Sequence, residues 1–263
     1  MRDVITNDYK LLFGDCLERM KEIPDGGVDL VLTDPPYGTT ACNWDSVIPF
    51  EFMWSELNRI IKPNGAIVLF GSEPFSSMLR VSNLKMYKYD WVWEKSRASN
   101  FVHAKHQPLK AHETISVFSK GGSAQGSKHP MVYNPQKVLG KPYNKGFGHK
   151  DNLHLSGGLS RKETQELKNE TGLRSPRSVQ YFSSDSDGKQ RGLHPTQKPV
   201  ALMEYLIKTY TSEGETVLDF AFGSCSTGVA ALNTKRKSIG IEMDENYFNI
   251  GVNRISAVLN NEQ

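Results

Sequence analysis

Short, largely apolar runs rich in β-branched residues, each followed by a turn and a helical pattern, set the architecture open to this 263-residue chain. Val28–Thr33, Ala66–Phe70, Thr114–Phe118, Thr216–Asp219 and Ser238–Glu242 have the length and composition of buried parallel strands. Between them, Phe50 to Ile61 carries apolar residues at i, i+3 and i+4 spacing (Phe50, Met53, Trp54, Leu57, Ile61) and stops at Lys62-Pro63-Asn64-Gly65, which predicts a helix. Pro199 to Tyr210 and Asp244 to Leu259 are further helices by the same reasoning. Strands alternating with helices indicate an α/β protein with a doubly wound, mostly parallel sheet. No internal repeat supports a solenoid or propeller.

Composition narrows the class. Hydrophobic residues make up 38% and charged residues 23%, with a mean hydropathy of −0.49; this describes a soluble globular chain. No apolar run approaches the ~18–20 residues of a membrane span, and Met1-Arg2-Asp3-Val4 leads into no signal-type stretch, so a cytoplasmic location and no membrane partner are expected. Three cysteines, Cys16, Cys42 and Cys225, with no Cys-x-x-Cys spacing, argue against a disulfide framework and against a metal site.

The net charge of +3 is unevenly spread. Residues 121–193 hold 11 of the 22 glycines, no Ile and no Trp, and 12 Lys/Arg against six acids. That stretch is therefore +6 and the remainder −3. The organisation expected is one domain made of residues 1–120 and 194–263, interrupted by a basic insert at 121–193. Such an insert fits either a solvated loop or a nucleic-acid surface.

Two local motifs carry chemistry. Asp34-Pro35-Pro36-Tyr37 follows the Val28–Thr33 strand directly, and ligands of open parallel sheets bind at the carboxyl ends of strands. The two prolines stiffen the turn and leave its carbonyls free as acceptors. A carboxylate, carbonyls and an aromatic face together suit a planar group bearing an NH₂; a plain Pro-Pro turn capped by Asp is the alternative. In Leu218-Asp219-Phe220-Ala221-Phe222-Gly223-Ser224-Cys225-Ser226-Thr227-Gly228 a strand passes through a small-residue turn into a helix, whose N-terminus offers free N–H donors. Glu242 ends the next strand, where nucleotide-type sites place the acid that receives ribose hydroxyls.

Asp34-Pro35-Pro36-Tyr37 first, then His194-Pro195-Thr196-Gln197-Lys198-Pro199 and the Asp219 turn last, resemble the beta-group amino-methyltransferases that modify DNA with S-adenosylmethionine. Gly14-Asp15, Asn43-Trp44-Asp45, Arg59 to Gly65 and His112-Glu113 extend the resemblance over most of residues 8–120 and 194–255. It implies a circularly permuted Rossmann-like methyltransferase fold, with helices on both faces of the sheet and an irregular target-recognition insert. It also implies S-adenosyl-L-methionine as cofactor, held by Asp15, Cys16, Asp34, His194, Thr196, Lys198, Asp219, Phe220, Ala221, Phe222, Gly223, Ser224, Cys225, Glu242 and Met243, with Phe222 a candidate to face the sulfonium. The family turn usually reads Asp-Pro-Phe-x-Gly-Ser-Gly, so Phe220, Ala221 and Cys225 depart from it. A negative φ at Cys225 would keep close backbone approach open, and a small buried filler is the role expected of its thiol.

In the chemistry implied, Asp34 and the Pro35 carbonyl accept from the target amine, Pro36 stiffens the turn, and Tyr37 stacks on a base flipped out of double-stranded DNA. Asp in the first position accompanies adenine more often by resemblance; the 4-amino group of cytosine, an amine on RNA or a protein glutamine, and a silent DNA binder are the alternatives. DNA contacts are expected from Lys95, Arg97, Lys105 and Lys110, in a stretch with no acid before Glu113, and from Asn144, Arg174, Arg177 and Gln180 in the insert. The resemblance favours a homodimer. It says nothing of a restriction endonuclease partner.

Overall fold

The computed structural model describes residues 2–38, 45–147, 166–184, 188 and 192–260. Asn43 and Trp44, and Lys150, Arg161, Lys162, Lys189 and Arg191 of the basic insert, lie outside the described residues. The strands in chain order are β1 (Val4–Ile5), β2 (Tyr9–Phe13), β3 (Val28–Thr33), β4 (Ile61–Gly71), β5 (Tyr87–Ser99), β6 (Lys110–Phe118), β7 (Val138–Leu139), β8 (Tyr143–Phe147), β9 (Glu166–Asn169), β10 (Leu173–Arg174), β11 (Val179–Phe182), β12 (Thr216–Asp219) and β13 (Lys237–Glu242). The α-helices are α1 (Cys16–Met20), α2 (Phe50–Ile60), α3 (Phe75–Ser82), α4 (Val200–Tyr210), α5 (Ser226–Asn233) and α6 (Glu245–Asn260).

The chain forms two compact units. Met1–Asn134 with Ser178–Gln263 carries the main sheet, ordered β1-β2-β13-β12-β3-β4-β6-β5-β11 among the described residues. Pro135–Arg177 holds two small antiparallel pairs, β7 with β10 and β8 with β9. Residues 121–134 and 178–193 of the basic stretch thus belong to the first unit, where β11 pairs parallel to β5.

β2, β13, β12, β3 and β4 run parallel, and both faces of this core are covered. Alternation along each strand explains the two faces. Val31, Ile67, Leu69, Leu218 and Ile241 pack with Met20, Met53, Trp54, Leu57, Phe75 and Leu79 of α1, α2 and α3. Leu30, Leu32, Val68, Phe70 and Val217 pack with α4 residues Leu202, Leu206 and Tyr210 and α5 residues Ala230 and Ala231. Runs apolar on both sides are what such a position requires.

One expectation fails here. The Thr114–Phe118 run, read as a parallel strand, lies in β6, which is antiparallel to both β4 and β5. β5 returns into β6 through residues 100–109 without a crossover helix, and a connection of that kind can only reverse the chain. Periodicity reports burial, not strand direction.

The strand order places the chemistry. β12, late in the chain, is inserted beside β3, with Val217 opposite Leu30 and Leu218 opposite Val31. The carboxyl ends of an early and a late strand are thereby adjacent, as a circular permutation requires.

Candidate active site

Asp34 and Asp219 leave neighbouring strands side by side, and cross-strand hydrogen bonds fix them there. The Thr33 hydroxyl accepts from the Phe220 amide at 3.2 Å, and the Thr227 hydroxyl lies 3.5 Å from the Leu32 carbonyl. Above these strand ends lies a cavity of about 390 Å³ lined by Asp15, Cys16, Asp34 to Tyr37, His194, Thr196, Lys198, Asp219 to Ser224, Glu242 and Met243, together with the 45–49 segment. All the residues that the sequence suggested for catalysis or cofactor binding border it except Cys225. The size falls in the range of small-molecule pockets, roughly 300–1,000 Å³.

The acids at its floor are held in different ways. Asp219 is buried, and burial pushes its carboxyl up to about 7 against the pull of the Thr227 and Thr33 hydroxyls and the Ala221 amide. An acid kept near neutrality this way ionises readily when a cation is placed beside it. Glu242 accepts from the amides of Gly223 at 2.9 Å and Asp244 at 2.8 Å, and each oxygen retains acceptor capacity. Asp15 caps α1 by accepting from the amides of Leu17 (2.9 Å) and Glu18 (3.2 Å). Gly223 sits at φ +51, and a Cβ there would meet the His194 ring at 3.3 Å, so both backbone conformation and space favour glycine. The His194 ring packs edge-on to Tyr247 at 4.2 Å, and its Nδ1 lies 3.0 Å from the Thr196 hydroxyl and 3.2 Å from the Thr196 amide. Burial first, and then the Lys198 charge, pull this imidazole down to about 4, so it is neutral at physiological pH.

The Asp34 turn is tied down at both ends. Asp45, buried, accepts from the amides of Tyr37 at 2.7 Å and Gly38 at 2.9 Å. Tyr37 donates its hydroxyl to Asp34 Oδ1, and Lys198 Nζ donates to Asp34 Oδ2. Lys198 also stands 3.4 Å from Glu113 Oε2, while Lys95 Nζ pairs with Glu113 Oε1 at 2.6 Å. Four alternating charges therefore run from β5 to the catalytic turn. Burial alone would discharge Lys198, yet the Asp34 and Glu113 carboxylates outweigh it and hold its pKa above the ordinary value. Burial raises Asp34, with the Lys198 ammonium opposing. Glu113 is lowered because Lys198 and Lys95 together overcome its burial.

Several expectations are redirected by this geometry. Lys198, expected among the residues that hold the cofactor, is engaged by two carboxylates, Asp34 and Glu113. Lys95 is an ion-pair partner of Glu113 before it can be a phosphate contact. Lys110 is half-buried and donates to the Ser72 hydroxyl, with a pKa lowered by burial despite Glu113. The Phe222 ring packs against Gly240 and Gly251 and near Phe248 in the core, and Phe222 also borders the cavity. Cys225 adopts φ 63 and ψ 35, so the negative φ that would have allowed close backbone approach is absent. Its buried sulfur, in the same cluster as Phe222, has its pKa pushed up to about 12 by burial, as the filler role requires. Arg97 is exposed near the end of β5 and Lys105 on the β5–β6 connection, and Gln180 lies half-buried on β11. Arg174 stacks over the Tyr143 ring at 4.4 Å in the Pro135–Arg177 unit, where Asn144 and Arg177 are exposed.

Three residues had no role assigned from sequence. Glu113 and Asp45 stand inside matched motifs, but only spatial pairing shows what they bind. Arg254 of α6 donates to the Ser224 carbonyl at 2.7 Å and lies 3.1 Å from the Ser226 hydroxyl, fixing the turn after Asp219; no local pattern announces it.

Residues 28–253 match the model of the N6_N4_Mtase family, described as DNA methylase. The chain belongs to this family. Among curated proteins it is 26% identical to the type II methyltransferase M.HpaI of Haemophilus parainfluenzae, over 96% of this chain and 76% of that one. It is likewise 26% identical to the DNA adenine methyltransferase YhdJ of Escherichia coli K12, over 93% of this chain and 82% of that one. Of solved structures, the M1.HpyAVI–SAM complex superposes with a TM-score of 0.62 at 24% identity, covering 94% and 98% of the two chains. The cytosine-N4-specific PvuII DNA methyltransferase gives 0.63 at 17% identity, covering 97% and 92%. Among the described residues no group of three or more His, Cys, Asp and Glu is placed to hold a metal ion.

Proposed function

We propose that this DNA methylase transfers a methyl group from S-adenosylmethionine to the 6-amino group of adenine in double-stranded DNA. The observation that carries the reading is Asp34, a carboxylate at the carboxyl end of β3, held by Tyr37 and Lys198 on the wall of the cavity that Asp219 and Glu242 also line. The donor set fits a nucleoside with a cationic amino-acid tail. Glu242 keeps acceptor capacity for ribose hydroxyls, and Asp219, near neutrality when the cavity is empty, gains from a cation next to it. S-adenosylmethionine supplies the electrophilic methyl on its sulfonium.

The chain's own residues do the rest. An exocyclic aryl amine is a poor nucleophile because its lone pair is delocalised into the ring. Hydrogen bonds from its N–H groups to Asp34 and the Pro35 carbonyl favour the pyramidal nitrogen and aim its lone pair, so they act by orientation and by transition-state stabilisation. The Lys198 ammonium opposes the burial that raises the Asp34 carboxyl and so favours its ionised, accepting form. Asp34 can take the released proton, although the methylated ammonium is acidic enough to lose it to water. The base reaches this site by leaving the duplex, at a cost of a few kcal/mol. Tyr37 lies with one face toward Phe75, ring centroids 5.0 Å apart, so a base can stack only on the opposite face. Residues 121–193 supply target recognition in this reading.

Adenine is favoured over cytosine by Asp at the first motif position and by the 26% identity with a named adenine methyltransferase over 93% of the chain. Incubating the protein with duplex DNA and radiolabelled S-adenosylmethionine, then hydrolysing to nucleosides, is expected to place the label in N6-methyl-2′-deoxyadenosine. Label in N4-methylcytosine would overturn the base assignment. Asp34→Ala is expected to cost about 10²–10³ in kcat, the scale of losing one aimed polar group.

A further inference from the structure

Resting on the methyltransferase reading, we infer that the tip of the β5–β6 hairpin, Phe101 with Val102, enters the base stack in place of the extruded nucleotide. The register fixes where this hairpin goes. Thr33, the last residue of β3, is level with Leu69, Leu69 with Ser116, and Ser116 with Asp90. β5 runs in the same direction as β3, because β4 is parallel to β3 and two successive antiparallel pairings follow. β5 therefore continues from Asp90 to Ser99 past the level of the catalytic turn, by about 20 Å at ~3.3 Å per residue along its partner Ser116 to Lys110, because the register slips between Glu94 and Ser99. The arm's root is set beside that turn through the Lys95, Glu113, Lys198 and Asp34 ion pairs.

The tip is a formed turn. Asn100 is left-handed at φ 70, the His103 amide donates to the Asn100 carbonyl at 3.0 Å, and the Ala104 amide to the Phe101 carbonyl at 3.1 Å. On that turn Phe101 is 66% and Val102 92% exposed, at the end of an arm whose outer part, Leu109 apart, is largely polar. Residues 96–112 carry Arg97, His103, Lys105, His106, Lys110 and His112 and no acid. An apolar knob in a cationic collar suits a partner with an apolar interior and anionic flanks. Duplex DNA opened at one step has both: bare base faces in the gap and phosphates on either side. Phe101 fills the gap and slows the base's return while Asp34 holds its amine.

The test compares two duplexes carrying the site mapped for the parent enzyme, one fully paired and one with the target base opposite an abasic position, where no pairing opposes extrusion. Phe101→Ala is expected to lower kcat/KM on the paired duplex roughly tenfold to hundredfold, the scale of one lost stacking contact. On the abasic-opposed duplex its activity should stay close to the parent's, and Phe101→Trp should retain activity on both. An equal loss on the two duplexes, or no loss on either, would overturn the inference. Whether the parent labels DNA at all tests the methyltransferase reading by itself, since the wedge is read only from the ratio between substrates.

Discussion

Cys225 shows how a departure from a family motif is absorbed. Where the usual turn has glycine, this chain has a cysteine in the left-handed region, a conformation that costs a non-glycine residue about 1–2 kcal/mol. Its sulfur fills space left by Gly228, where an added Cβ would lie 2.5 Å from Sγ, and its Cβ meets the gap at Gly251. The three positions are therefore one packing unit. Gly228→Ala is expected to destabilise by roughly 1–3 kcal/mol through overpacking, and Cys225→Gly in the same chain to recover most of it. Denaturant unfolding of the two singles and the double measures this; additive effects would show that the sulfur and Gly228 do not share the space. Asp219 yields a second residue-scale expectation. Its folded pKa, about 7, exceeds its ordinary 3.8, so in the empty protein this group favours the fold at acidic pH and that contribution is lost as pH rises through about 7. A cationic ligand reverses the preference. S-adenosylmethionine binding should therefore release a proton near pH 6 and tighten with rising pH until about 7, and Asp219→Asn should abolish both effects. Calorimetry in buffers of different ionisation enthalpy reads the proton; zero exchange in the parent would refute the coupling.

At the scale of elements, the strands that carry the site were the most legible. β3 and β12 end at Thr33 and Asp219, the first polar residues after the inner apolar runs Leu30-Val31-Leu32 and Val217-Leu218. β2 was not read: Tyr9–Phe13 is short and interrupted by an exposed Lys10. α3 was missed as well, since Phe75–Ser82 is rich in Ser and gains its place by burying Phe75 and Leu79. The direction of β6 was invisible for a deeper reason, because a hairpin and a crossover leave the same apolar run. That direction has a catalytic consequence. Pairing β6 antiparallel to β5 puts Glu113 opposite Trp93, within reach of Lys95 on one side and Lys198 on the other. Glu113→Gln removes one of the two carboxylates that hold Lys198 protonated, so the alkaline limb of the kcat profile should move to lower pH. Leaving two buried ammonium groups with one partner fewer should also cost up to about 3–5 kcal/mol of stability. A variant destabilised to that degree with its kcat profile unmoved would reduce Glu113 to a structural ion-pair partner.

Over the whole molecule, charge is segregated more sharply than the sequence boundaries suggested. Pro135–Arg177 contains nine Lys/Arg and four acids, so +5 sits on this unit alone in a chain of net +3. The remaining surface is slightly acidic, and what basic character it has near the cavity divides into two kinds that composition cannot separate. Arg97 and Lys105 are exposed on the arm, whereas Lys95, 15% exposed, is consumed by Glu113. If DNA binding is driven by release of counterions from phosphates, the two kinds must respond differently to salt. Arg97→Ala should weaken binding to all duplexes alike and reduce the slope of log K against log salt by about 0.9, one phosphate contact. Lys95→Met should leave that slope unchanged and lower kcat instead, because its charge supports Glu113 and, through Lys198, the ionised Asp34. Filter binding across a salt series, paired with single-turnover methylation, separates the outcomes; a slope lowered by Lys95→Met with kcat intact would return Lys95 to the phosphate-contacting group and break the link drawn between the arm and the catalytic turn.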